Sequence, residues 1–396
     1  MAVWFIIFWL SCFIIFYNYI GYALPVLIYN KLKKRKPSQE IVHSYPSVSF
    51  IVAAYNEEEV IEDKIINSLS QNYPRDKIEF IFITDGSTDE TPQITRKYSI
   101  VILLHQPQRF GKSAALNRAI EKASNDIIIL SDANAILNTD AILHLTKHYV
   151  NEEVGGVAGE KRIMKTGQNA ATDEEGFYWK YESFLKKIDS DFYSVVGAAG
   201  ELFSFRKTLY EPLPDLVVLD DFVTSIKIAA KGFRIVYEPN AYAIETPSLS
   251  IKDEKQRKIR IAAGGFQAIT LLPTALFFWR HFKLSFLYVS HRVLRWTFTP
   301  FCLIATFISN VFLLFTPIIF YKITFLFQAI FYLLSFLPVI MKKKNVNRNF
   351  LKLPYYFVFM NSCVIQGFIL FITKGQTAIW DKAKRSSLSK TNSFIL

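Results

Sequence analysis

The chain has 396 residues, a net charge of +12 and 16% aromatic residues, with 36 phenylalanines. That length holds one large or two modest domains. The three cysteines, Cys12, Cys302 and Cys363, lie apart inside apolar runs, which excludes a disulfide framework and a thiolate metal site. The charge also excludes a nucleic-acid partner, because it gathers beside apolar runs: Lys31, Lys33, Lys34, Arg35 and Lys36 follow the first, and Lys342, Lys343 and Lys344 follow a later one.

Residues 1–30 carry no charge and read as a first transmembrane helix, too long for a cleaved leader. Residues 31–45 read as a basic linker, and the positive-inside pattern puts them in the cytoplasm. Residues 46–265 have the polarity of an α/β domain. Residues 266–295 are aromatic but carry Arg280, His281, Lys283, His291, Arg292 and Arg295, which suits an interfacial amphipathic segment, with a partly buried helix of the domain as the other reading. Residues 296–373 hold charge-free runs at 296–321, 323–341 and 353–373, about three further spans near the roughly 20-residue requirement. Three later spans would put the basic tail, 374–396, outside, whereas Lys374, Lys382, Lys384, Arg385 and Lys390 favour the inside. The two signals conflict unless one apolar run is re-entrant or turns back.

Within the domain, residues 48–54 are short, apolar and β-branched and predict a buried strand. It ends at Tyr55-Asn56-Glu57-Glu58-Glu59, where Asn56 suits a helix cap and the glutamates its first turn. Ile61, Ile65 and Leu69 repeat at helical spacing, and residues 78–83 predict a second strand, completing a βαβ unit. Further strands are predicted at 100–104 and 127–130, with a helix over 114–123 between them that turns Leu116, Ala119 and Ile120 inward.

The carboxyl ends of these strands carry chemistry, where open α/β sheets bind ligands. Asp85, Asp89 and Asp132 stand there, and three carboxylates at one edge call for a cation: Mg2+ or Mn2+ bridging oxygen ligands to a nucleotide's phosphates fits. Turn chemistry alone also accounts for Asp85 and Asp89. Gly111-Lys112-Ser113 is not an ATPase phosphate loop, because Gln106 stands where the pattern needs glycine. Arg109 and Lys112 still offer charge to a diphosphate. Asp220 and Asp221 open a helical pattern, as dipole partners or as a general base. The basic run from Lys255 to Arg260 suits a departing diphosphate or lipid headgroups.

Together these residues resemble the glycosyltransferase family two enzymes, in particular the membrane-embedded synthases related to cellulose, chitin and hyaluronan synthases. The resemblance covers about residues 46–265. It implies a GT-A fold, a Rossmann-like domain for a nucleotide-diphospho-sugar, flanked by transmembrane helices. The family's AxYNEE-like turn is Ala54-Tyr55-Asn56-Glu57-Glu58. Its DGSTD-like aspartate, Asp85, is implied to hold the nucleotide base. Ala54, Tyr55, Glu57, Lys112 and Asp132 complete the implied donor site, with Lys112 in a GKxxALN-like segment that runs to Asn117. The DxD-like motif is Asp132-Ala133-Asn134, an amide replacing the second acid, and it implies Asp132 and Asn134 as metal residues. Leu219-Asp220-Asp221 keeps the final aspartate of the TED motif, which makes Asp221 the catalytic base and Asp220 its neighbour. Gly232-Phe233-Arg234-Ile235 fixes that register. In the QxxRW register Arg260 matches, while Arg257 and Ile261 replace Gln and Trp, a departure from the processive pattern. Gly200 belongs to the loop beside the acceptor.

The expectation is an inverting glycosyltransferase of the hexosyltransferase type, multi-pass in the cell membrane of a bacterium, with its catalytic domain cytoplasmic. It would move sugar from a nucleotide-sugar, foremost a UDP-sugar, to a hydroxyl of a polysaccharide or glycolipid. Four spans are few for a polymer channel, which leaves room for a homo-oligomer or other export proteins. Two rivals remain: a polyprenyl-phosphate glycosyltransferase, whose ionised acceptor needs no base, and an inactive membrane scaffold or channel subunit.

Overall fold

The computed structural model describes residues 1–33, 45–164, 170–246, 251–340 and 349–374. Most of the basic linker, Lys342 to Lys344 and the tail beyond Lys374 lie outside the described residues. Among the described residues eight strands form one sheet: β1 (Val48–Ala54), β2 (Ile78–Asp85), β3 (Val101–Gln106), β4 (Ile127–Asp132), β5 (Ile136–Leu137), β6 (Val154–Ile163), β7 (Phe203–Arg206) and β8 (Arg234–Glu245). Their order is β3-β2-β1-β4-β7-β6-β8-β5. The first four are parallel, with Val48 opposite both Ile78 and Ile127. β7 runs antiparallel to β4 and β6, so the chain's second half extends the sheet in mixed order.

The strand pattern follows from the sequence. Side chains alternate between faces, and the apolar runs supply both. Ile51, Ile81, Ile128 and Leu130 enter one core, and Phe50, Val52, Phe82 and Ile129 the other. The first core continues through Tyr22, Phe266, Leu287, Tyr288 and Trp296, which seats the domain against the helices outside it.

Two local expectations change. The helix after β1 is Ile61–Leu69 and starts beyond Asn56, with Val60 in the cap position. Asn56 instead adopts φ +53, and its Oδ1 accepts from the Thr88 backbone at 2.8 Å while its own N–H donates to Ser87 Oγ at 3.1 Å. Its short amide tolerates the left-handed region and ties the two strand-end turns together. The apolar run 296–321 is also broken. The helix Phe298–Leu313 has 16 residues, about 24 Å of rise against a hydrocarbon core of about 30 Å. It reaches span length only with the preceding Phe278–Trp296, from which it bends by 54°. A π-helical turn, Val289–Val293, lies just before that bend, as is common at sharp kinks.

Among the described residues three helical stretches are long and apolar enough to cross a membrane, Ala2–Leu32, Ile319–Pro338 and Leu353–Thr373, or four if the bent pair is one span. The stretch expected at the interface includes a short helix, Phe278–Tyr288, with Trp279 83% exposed and Phe282 64% exposed. The final helix, Asn349–Lys374, lies along Ile251–Leu271 of the domain. Gly367 makes this approach possible, since a Cβ there would stand 2.6 Å from that of Ala262. Phe266 packs on Phe368 and Phe371 at the same seam.

Candidate active site

The carboxyl ends of β1, β2 and β4 meet the start of the helix Lys112–Lys122. Asp85 is 5% exposed, and its oxygens are committed locally. Oδ2 accepts from the Phe110 and Gly111 backbone N–H groups at 2.8 and 2.6 Å, and Oδ1 pairs with Arg118 at 2.8 Å. Asp89 is structural as well: it accepts from the backbone of Glu58 at 3.1 Å and from the backbone and hydroxyl of Thr91. Beside Asp85, the Arg109 guanidinium sits 3.5 Å above the Tyr55 ring. Gly86 allows this, at φ +71 with no room for a Cβ against Arg109. Asn117 accepts from Tyr210 and from the backbone of Leu213, so the GKxxALN-like segment fastens the next loop.

A cavity of about 940 Å³ lies next to this edge, bounded by the domain and by the final helix. It gathers Lys112, Asp132, Gly200, Asp220, Asp221, Arg257 and Arg260 from five separate parts of the chain. Ala54, Tyr55, Glu57, Asp85 and Asn134 are not among its lining residues. The residues expected from the sequence therefore divide in two: a turn region around Asp85 and Tyr55, and the cavity around Asp221.

The Lys112 ammonium lies 2.8 Å from Asp132 Oδ1 and 3.6 Å from Asp220 Oδ1. A Cβ built on Gly200 would stand 3.4 Å from Asp221 Oδ2, 3.4 Å from Lys112 Nζ and 3.7 Å from Asp132 Oδ1. Those three groups thus converge on one small volume that glycine keeps open. Asp220 and Asp221 start the helix Asp220–Ala230, where the macrodipole favours negative charge. Burial and the adjacent Asp220 nevertheless raise the Asp221 carboxyl to about 7, with Lys112 opposing them. Burial works against the Lys112 ammonium, but Asp132, Asp220 and Asp221 outweigh it and hold its pKa above the usual lysine range.

Several lining groups carry little local sequence signal. Glu201 and Glu245 share the Lys161 ammonium, Glu245 at 2.6 Å. With Asp132 they form the one group of three or more carboxylate, thiol or imidazole residues among the described residues whose ligand atoms all lie within 4.8 Å of one another. An all-oxygen donor set of this kind suits Mg2+ or Mn2+. Behind it, Lys64 is fully buried and donates to Ser131 Oγ at 2.7 Å and to the Ala135 carbonyl at 2.6 Å. Burial lowers Lys64 to about 7, opposed by Asp132 and Glu245. Ser131 passes the link on to the Glu201 carbonyl at 2.8 Å. A lysine at the core-facing spacing of Ile61 and Ile65 was the available clue. Trp296 also lines the cavity, packed over Gly265, whose Cβ would stand 2.7 Å from the indole. An indole thus reaches the cavity from another element, although Ile261 holds the position where the synthase pattern has tryptophan.

Comparisons with known proteins agree with this fold. Residues 49–213 match the glycosyl transferase family 2 description. A poly-beta-1,6-N-acetyl-D-glucosamine synthase of Staphylococcus aureus is 27% identical over 236 residues, 58% of this chain. That match spans 57% of the synthase's own length. A probable glycosyltransferase of Bacillus subtilis is 26% identical over 256 residues, 61% of this chain and 60% of its own. Among solved structures, a mannosyltransferase from Pyrobaculum calidifontis, in complex with GDP-Man and Mn2+, aligns with a TM-score of 0.66 at 22% identity, over 92% of this chain and 99% of its own. The parallel β3-β2-β1-β4 edge and the mixed second half are those of a GT-A fold, and residues 49–213 within it match glycosyl transferase family 2.

Proposed function

We propose that the chain is a membrane-bound inverting glycosyltransferase that moves a sugar from a nucleotide-sugar, with a UDP-sugar as first candidate, to a hydroxyl of a polysaccharide or glycolipid at the cytoplasmic face. The observation that carries this reading is the convergence of Asp221, Lys112 and Asp132 around Gly200, with the Asp221 carboxyl raised to about 7. A general base works best with a pKa near the operating pH. Asp221 takes the proton of the acceptor hydroxyl as that oxygen bonds to the anomeric carbon from the face opposite the nucleotide. The bond from that carbon to the diphosphate breaks, and the electron pair leaves with the diphosphate. Lys112, Arg257 and Arg260 meet the charge that develops there.

Tyr55, Arg109 and the Asp85 turn form the nucleoside end, with Ala54 and Glu57 beside them. A divalent ion would be held by Asp132, with Asn134 on the same turn and Glu201 and Glu245 as further oxygen donors within 4.8 Å. When bound, it supplies Lewis-acid stabilisation of the diphosphate. The apolar helices keep the domain at a membrane, as expected for an acceptor that is exported or lipid-borne. The test is to incubate membranes containing the chain with a panel of radiolabelled UDP- and GDP-sugars and to size the product. Label transferred from one donor, and lost in Asp221→Asn, supports the reading. No transfer from any donor to added or endogenous acceptor refutes it.

A further inference from the structure

Lys186 sits on the helix Ala170–Phe192, is 4% exposed and lines the cavity. It makes no hydrogen bond or ion pair with any described residue. The charged groups that influence it are Glu160, Arg292, Glu201 and Glu182. Each of these acids is already engaged elsewhere. Glu160 accepts from Ser183 at 2.7 and 2.9 Å and from Tyr237. Glu182 is held by Arg292 at 3.0 Å and by Arg295, and Glu201 by Lys161. Burial pushes the Lys186 ammonium below the usual lysine range, Glu160 opposes it, and Arg292 adds to it.

A buried cation without a partner is costly, and a second cation beside it raises the cost. The feature is understood if an anion enters the cavity at this wall. Two cations, one a planar guanidinium, suit a phosphate. A second wall is apolar: Phe357, Met360 and Val364 of the final helix line it. That helix is long and apolar enough to contact lipid along its length. A ligand touching both walls has a phosphate head and a hydrocarbon tail.

We propose that Lys186 and Arg292 form a subsite for the phosphate of an amphiphilic acceptor, so that sugar is added to a chain carried on a lipid phosphate. This rests on the glycosyltransferase reading for the word acceptor, whereas the anion site stands on Lys186 itself. Lys186 lines the same cavity as Lys112, Asp132, Asp220 and Asp221, so the comparison of Lys186→Met with Lys112→Met is what separates this subsite from the donor's diphosphate end.

The test uses the full chain in a neutral maltoside detergent and measures binding of dodecyl phosphate and of inorganic phosphate by calorimetry. Dodecyl phosphate is expected to bind more tightly than inorganic phosphate. Lys186→Met should weaken it by about tenfold or more, the loss of one charge-assisted hydrogen bond. Lys186→Arg should restore much of the binding, and Lys112→Met should retain it. Thermal unfolding separates function from structure: Lys186→Met should hold or raise the Tm of the unliganded chain, because it removes a buried unpaired charge. Unchanged phosphate binding in Lys186→Met, loss in Lys112→Met instead, or a lowered Tm in Lys186→Met overturns the subsite. Equal affinity for the two probes overturns the lipid. If no sugar transfer is found but the Lys186 dependence holds, the transferase reading fails and the anion site stands.

Discussion

Asp221→Asn probes both the chemistry and its cost in stability. The amide keeps the shape of the carboxylate but cannot take a proton, so transfer should fall by about 10²–10⁴-fold, the usual contribution of a general base. Donor binding, measured by calorimetry, should survive. The same substitution should stabilise the fold above neutral pH. In the native state the Asp221 carboxyl titrates near 7, against an ordinary value of 3.8. A raised carboxyl favours the folded state while protonated. Its contribution is fully present below about pH 4, declines as pH rises, and is gone above about 7. Three units at 1.36 kcal/mol each set an upper bound of roughly 4 kcal/mol. The side chain still borders the open cavity, which reduces this to about 1–2 kcal/mol. Thermal unfolding of wild type and variant from pH 4 to 8 should therefore show equal Tm at the acid end and a higher Tm for the variant at pH 8. The wild-type kcat/KM should fall on the acid side of about pH 7. Near-normal turnover in Asp221→Asn, or a Tm difference independent of pH, would refute the assignment of Asp221 as a poised base.

Other expectations follow from the same geometry. Asp132→Asn removes a partner of Lys112 and an oxygen donor of the Asp132, Glu201, Glu245 group; transfer assayed against Mn2+ concentration should need at least about tenfold more metal, and a chelator should silence the wild type. Gly197 has φ +86, and its Cβ would stand 2.1 Å from the Phe222 ring; Gly197→Ala should lower stability by about 2–4 kcal/mol in denaturant titration.

Much of the candidate site was legible because its signals are local. An apolar run that stops at a polar turn predicts a strand and its ligand-facing end, and β1 spans the expected residues. Asp220 and Asp221 announced a helix start, and the helix begins there. The family match ends at residue 213, so Asp221, Arg257 and Arg260 came from register counted along the chain, and the structure brings all three to one cavity. The Asn56 cap failed because a competing contact exists. A short amide beside the Ser87-Thr88 turn satisfies that turn's backbone, and the helix then starts at Ile61.

The sequence by itself determined which segments could pair, which could cross a membrane and which carboxylates end strands, because period, apolar length and turn chemistry are properties of neighbouring residues. The tertiary structure alone decided the partners. Lys161 chooses Glu201 and Glu245, 40 and 84 positions away, and Lys64 reaches Ser131 beneath the turn that carries Asp132. Ion pairs and orphaned charges depend on which walls face each other. The strand-end residues divide into a turn region around Asp85 and a cavity around Asp221, and only the cavity is closed on one side by the helix 349–374. That closure follows from Gly367 fitting against Ala262, a contact between residues more than a hundred positions apart that no local pattern encodes.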